Sequence, residues 1–229
     1  MNEKIKKGSL SLTLLTVTSL IGLWVIAKPF QRGGPAGLVK PDMSDTITAT
    51  VYADNWFAMY VNGKLVAVDP IDFLPHNVVK VDLLPEYPMT IAVVAKDNAD
   101  PKTGFEYGNH VGDAGISIKF SDGTVTDGKW KVKTISSGPP VKTDVFPDGW
   151  YMPTFDDSSW ANATPYTVQR VNPKKPYYDY DFTGSMFVWT GNLDVDNTIL
   201  LRTKVTKPGW LKRWNTRPEL DISGAQIKS

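Results

Sequence analysis

The sequence contains no cysteine, which excludes disulfides, thiolate metal sites and a cysteine nucleophile. It has two histidines, His76 and His110, too few for a multi-histidine metal centre. It also lacks an excess of either charge. Twenty-five Lys and Arg against 24 Asp and Glu leave a formal net charge of +1, so no global field draws nucleic acid. No Gly-rich phosphate loop follows a strand and opens a helix. After residue 38 no segment has a helical period, and no repeat of fixed length recurs. The many Asp residues show no spacing that singles out an acid and a base. His76 follows Pro75 and reads as a surface turn residue. These absences argue against an enzyme and against a nucleic-acid partner.

What is present begins with an apolar segment. Lys4, Lys6 and Lys7 precede an uncharged run, Leu10–Ala27, and Lys28-Pro29 follow it. At 1.5 Å per residue the run spans about 27 Å, close to a bilayer core. The basic head places the N-terminus in the cytoplasm by the positive-inside rule, with the remainder translocated. The length favours an uncleaved signal anchor. A cleaved signal peptide, with Val25-Ile26-Ala27 as the small-residue site, is the alternative. The expected layout is a cytoplasmic basic head over 1–9, a transmembrane signal anchor over 10–27 and a linker over 28–44. A β-sandwich domain follows over 45–206, and a Trp/basic tail over 207–229. The domain is then periplasmic or extracellular.

The whole chain is 41% hydrophobic, and its exported part is long enough to bury a core. Thr46–Ala53, Trp56–Val61, Lys64–Val68, Val78–Leu83 and Met89–Lys96 read as strands. Asn62-Gly63 joins the second and third as a hairpin, since both turn positions favour positive φ. Ile116–Phe120 and Thr124–Thr134 read as another hairpin around Ser121-Asp122-Gly123, and Met186–Thr190 and Thr198–Val205 as the last strands. Short strands with regular turns argue a sandwich or jelly roll.

Three motifs bear a family likeness. Ala53–Lys64 (ADNWFAMYVNGK) resembles the hairpin of galactose-binding-domain-like jelly rolls. Phe155–Trp160 (FDDSSW) resembles a turn of the same superfamily, known from accessory β-domains of glycoside hydrolases. Phe187-Val188-Trp189 with Thr198–Arg202 (TILLR) is similar to a strand pair of rhamnosidase-like enzymes. The resemblance spans about residues 45–206 and implies an all-β galactose-binding-like jelly-roll sandwich behind one N-terminal transmembrane helix. That fold hosts carbohydrate binding, adhesion and purely structural roles alike. Read locally, Asp156 and Ser158 cap their own turn and Trp160 folds beneath it.

The loop from Asp97 to His110 is long, polar and broken by aromatics, as functional loops often are. Phe105, Tyr107 and His110 offer flat faces for a sugar, with Asn98 and Asn109 as partners for its hydroxyls. Asp97, Asn98 and Asp100 offer hard oxygens suited to calcium, the one cofactor in view, although the spacing is not that of an EF-hand. Asp194, Asp196 and Asn197 have a hairpin-loop composition. Tyr177, Tyr178 and Tyr180 form an aromatic–acidic strip with Asp179 and Asp181, suited to a protein partner. Trp210, Lys212, Arg213 and Trp214 suit a membrane interface or an acidic partner, or else a tail packed on its own domain. The expected function is a membrane-anchored, extracytoplasmic, non-enzymatic binding or assembly module, as an accessory subunit of a membrane complex. The alternative is a carbohydrate-binding module at the cell envelope.

Overall fold

The computed structural model describes residues 37–71, 77–100, 102–106, 110–138 and 143–216, with His110 and Val111 described by backbone alone. The chain divides into two units after Gly37. The basic head, the expected anchor and most of the linker therefore lie outside the described residues, as do residues 217–229 of the tail. Among the described residues no helix is long and apolar enough to cross a membrane.

The strands in chain order are β1 (Ile47–Asp54), β2 (Trp56–Val61), β3 (Lys64–Val68), β4 (Asn77–Leu83) and β5 (Met89–Lys96). Then come β6 (Phe105–Glu106), β7 (His110–Val111), β8 (Gly115–Phe120) and β9 (Lys131–Ser137). The last are β10 (Ala161–Asn162), β11 (Thr164–Tyr166), β12 (Phe187–Trp189) and β13 (Asp196–Val205), with a single helical turn, α1 (Val168–Val171), between β11 and β12. One antiparallel sheet runs β11-β12-β8-β1-β4 and the other β10-β9-β13-β5-β2-β3. A small hairpin, β6–β7, stands apart.

The two sheets form a β-sandwich because their strands bury alternate residues against each other. Ala49, Val51 and Ala53 of β1 meet Phe57 and Met59 of β2, Ile91, Val93 and Ala95 of β5, and Ile199 and Leu201 of β13. Trp189 is fully buried among them, and its Nε1 donates to the Asp196 carbonyl at 2.6 Å. Asn62-Gly63 forms the expected hairpin turn, with φ of 48° and 81°.

The expected hairpin after Gly123 is different. Only Val125 bridges back to Lys119. Asp127 then turns the chain, its carboxylate accepting from Lys129 N, and β9 enters the opposite sheet beside β13. Indole burial drives the switch: Trp130 is 2% exposed, and its Nε1 donates to Val125 O.

Both outer faces carry covers. Trp150 and Trp160 pack with Ala58, Ala92, Val94 and Leu200 on the outer face of the β2–β5–β13 sheet. Tyr177, Phe182 and Phe187 pack with Tyr52 and Val171 on the outer face of the other sheet.

Candidate functional site

The site is built at one end of the sandwich, where β5 leaves its sheet and the 97–115 loop begins. Gly104 takes φ of +68°, and the loop closes on itself through Gly104 N to Asp100 O at 2.8 Å and Gly112 N to Gly104 O at 2.8 Å. Gly112 has no room for a side chain, since a Cβ there would lie 2.7 Å from the Asp194 carbonyl. Arg170, on α1, donates to the Gly112 carbonyl through both Nη atoms at 3.2 Å and pairs with Asp194. The long loop is thereby clamped to the β12–β13 connection.

On the solvent side of this clamp, Phe105 is 40% exposed. It borders a cavity of about 380 Å³ with Lys102, Thr103, Asn192, Asp194 and Val195. An exposed aromatic face, an amide, a carboxylate, a hydroxyl and an ammonium thus converge on one shallow cavity.

On the interior side the chemistry is different. Trp56, Lys96 and Thr198 pair in register across β2, β5 and β13. The next row is Asn55, Asp97 and Asn197, tied by Asn55 N to Lys96 O at 2.8 Å and Asp97 N to Asn197 O at 2.7 Å. By strand alternation this row faces the same way as Phe57, Ala95 and Ile199, into the space between the sheets. All three residues are fully buried. Glu106, 6% exposed, brings a second carboxyl within hydrogen-bonding reach of Asp97. Burial, then the neighbouring Glu106, push the Asp97 carboxyl well above the ordinary range. Asp54 is raised well above it by burial and by the charges of Asp113 and Glu106, against the opposing Lys174 ammonium. Asp113 is pushed up to about 6 by burial and Glu106, with Lys174 and Arg170 opposing.

The other sequence candidates are placed as follows. Asn98 is half-buried in the loop. Asp100 is exposed, and its Oδ1 accepts from Lys102 N, Thr103 N and Thr103 Oγ1, so it shapes the loop. Tyr107 and Asn109 lie outside the described residues, and the side chain of His110 is not described. Tyr177 is buried and stacks on Phe182 at 4.7 Å, whereas Tyr178 and Tyr180 are 61% and 41% exposed.

The described part of the tail, residues 207–216, packs on its own domain. Trp214 is 3% exposed, and Trp210 is half-buried edge-on to Tyr87. Lys212 pairs with Glu86 at 3.3 Å, and Arg213 with Asp42 at 3.0 Å and with Asp45. The FDDSSW turn is architectural too. Asp156 accepts from Ser158 N at 3.0 Å, Asp157 pairs with Arg202 at 2.7 Å, and Trp160 lies beneath.

A cleft of about 640 Å³ lies between the edge strands β3 and β4. Apolar Val66, Val81 and Leu84 alternate there with Asn62, Asp82 and Lys212, and no aromatic ring lines it.

Sequence reasoning missed Asn55, Glu106, Asp113, Arg170 and Asn192. Asn55 sat inside a motif read as a hairpin, and the others meet only in the fold, Glu106 and Asp113 from the long loop, Arg170 from α1 and Asn192 from the β12–β13 connection. Comparison with protein-family models, with curated proteins and with solved structures finds no match.

Proposed function

We propose that this chain is a membrane-anchored, extracytoplasmic, non-catalytic carbohydrate-binding module, with a galactose-binding-like jelly roll as its folded domain. The exposed Phe105 ring in its polar cavity is the observation that carries this reading. The C–H face of a pyranose is apolar and matches a flat ring, while its hydroxyls need amide and carboxylate partners. Asn192 and Asp194 supply those partners from a connection that Arg170 holds rigid. The buried carboxyls do not open onto this cavity, which favours binding over hydrolysis. The uncharged Leu10–Ala27 run supports retention at the envelope.

Affinity electrophoresis tests the reading. The full chain is run through gels containing soluble envelope polysaccharides, beside the Phe105→Ala variant. The reading expects retardation by at least one polysaccharide and its loss in the variant. Equal mobility of both proteins in every gel would contradict it.

A second reading, docking to a protein partner within a membrane complex, is favoured by exposed Tyr178 and Tyr180 beside a shallow cavity of about 300 Å³. Native electrophoresis after mild solubilisation separates the two. A large assembly lost on Tyr178→Ala/Tyr180→Ala supports docking, and a free monomer removes it.

A further inference from the structure

We infer that the end of the domain where its first and last described segments meet is a lipid-facing surface, with Leu38, Met43 and Leu211 seated among the headgroups of the bilayer. The inference rests on the membrane-anchored reading above and is independent of carbohydrate binding. Its basis is a patch of apolar side chains that the fold leaves uncovered. Leu38, Met43 and Leu211 are 54%, 71% and 86% exposed. They come from opposite ends of the described chain, and the fold clasps their segments together. Val39 N donates to Asn215 Oδ1 at 2.7 Å, and the Val39 carbonyl accepts from Asn215 N at 3.0 Å. Arg213 joins the same two segments through Asp42 and Asp45. Single exposed apolar residues are ordinary on any surface, but three on two clasped segments make a patch.

Reach, charge and composition select a lipid surface as the occupant. The expected anchor ends at Ala27, so the chain from there to Leu38 spans at most about 40 Å. Leu38 is thereby kept within that distance of the bilayer. The carboxylates at this end are neutralised within the fold, Asp42 and Asp45 by Arg213 and Glu86 by Lys212. Lys40 and Lys207 are exposed beside them, and Lys207 Nζ lies 5.5 Å from the centre of the Tyr87 ring. Apolar tips with ammonium groups alongside match the boundary between acyl chains and lipid phosphates. Trp210 and Tyr87, both half-buried and edge-on at 5.2 Å, add the two ring types that favour that boundary.

Such seating also orients the domain. The patch adjoins the end of the sheet where Met89 of β5 pairs with Val205 of β13, since Tyr87 directly precedes β5 and the tail directly follows β13. The Phe105 cavity lies beyond the other end, where Lys96 pairs with Thr198. β5 has eight residues, which separates the two ends by about 23 Å. A domain resting on Leu38, Met43 and Leu211 therefore holds the exposed ring away from the bilayer.

The chain has no cysteine, so a single introduced thiol carries a single label. The test uses the full chain with Leu211→Cys or Val145→Cys, each labelled with an environment-sensitive fluorophore. Val145 is 85% exposed and follows Asp144, which bonds Lys96 and Thr198 at the far end of the sheet. Both proteins are reconstituted into phosphatidylcholine–phosphatidylglycerol vesicles, with and without lipids brominated near the headgroup, and floated on a density gradient. In floated vesicles, seating at a depth of about 5–10 Å should blue-shift the label at Leu211→Cys and let bromine quench it about twofold or more, with the label at Val145→Cys unaffected. Adding Leu38→Glu and Met43→Glu should abolish the quenching while flotation persists. Equal emission from the two labels in floated vesicles would overturn the inference and leave the anchor standing. A blue shift at Leu211→Cys without bromine quenching would also overturn it, since a second copy of the chain would then cover the patch. Failure of the chain to float would overturn the anchored reading and this inference together.

Discussion

Arg202 shows how one residue can organise a large piece of surface. It is 3% exposed on the outer face of β13. Its guanidinium pairs with Asp157, donates to the carbonyls of Trp150, Met152 and Phe155, and lies 5.2 Å from the Phe155 ring centre. All three nitrogens of the planar fork donate, in four hydrogen bonds, which is why lysine is no substitute. Arg202→Met removes all of these and leaves the Trp150 carbonyl and the half-buried Asp157 without their partner. The expected loss is about 3–5 kcal/mol, read as a lowered urea midpoint at unchanged slope. The sequence signalled both ends of this interaction, in FDDSSW and TILLR, because each motif had a local reading. It did not signal that they meet. The same limit hid the Asn55–Asp97–Asn197 row. Asp97 stood out for its carboxylate, but its neighbours in that row, Asn55 and Asn197, lie 42 and 100 positions away, and local spacing does not report cross-strand neighbours.

Among elements, the covers and the tail are as informative as the strands. The Trp150–Trp160 cover is fastened at its start by Asp144, which accepts from Thr198 Oγ1 at 2.8 Å and Lys96 Nζ at 3.3 Å. The tail is fastened by Arg213 to the turn over Met43–Asp45 and by Asn215 to Val39, whose N–H donates to Asn215 Oδ1 at 2.7 Å. Residues from the two ends of the domain therefore hold each other. Trp214→Ala opens a cavity where an indole was buried, with an expected loss of about 3–5 kcal/mol by denaturant unfolding. An unchanged midpoint would return Trp214 to the surface role that its composition suggests. The Asn62-Gly63 hairpin and the long strands β1, β5 and β13 were legible because turn chemistry and alternation over five or more residues are clear signals. The two- and three-residue strands β10 and β11 were not, since a run that short has no period. β9 was misjudged because turn chemistry at Asp127 and burial of Trp130 outweighed the alternation running through them.

At the scale of the whole molecule, the loop end concentrates groups whose charge the fold resists. Asp54, Asp97 and Asp113 are all raised, with Glu106, Lys174 and Arg170 as the charged groups acting on them. A raised carboxyl holds its proton in the folded state after the unfolded chain has released it. Its contribution is full below the unfolded value, about 4, and is lost as pH rises through the folded value. For Asp113 that loss extends to about pH 6. Exposed carboxylates such as Asp100 and Asp181 are lowered by hydrogen bonds, so their smaller, solvent-screened contribution is lost as pH falls below about 4. Tm should therefore be highest between about pH 4 and 5 and fall toward pH 7. A Tm that rises from pH 5 to 7 would show that the cluster is ionised and paired in the fold.

The functional reading places its whole weight on the Phe105 cavity, so the most direct measurement is a glycan array probed with wild type and Phe105→Ala side by side. Wild type should bind a defined group of glycans, with signal reduced at least tenfold in the variant, since loss of one stacked ring leaves the hydroxyl partners without their platform. Wild-type signal no higher than background across the array, or equal signal from the two proteins, would contradict it.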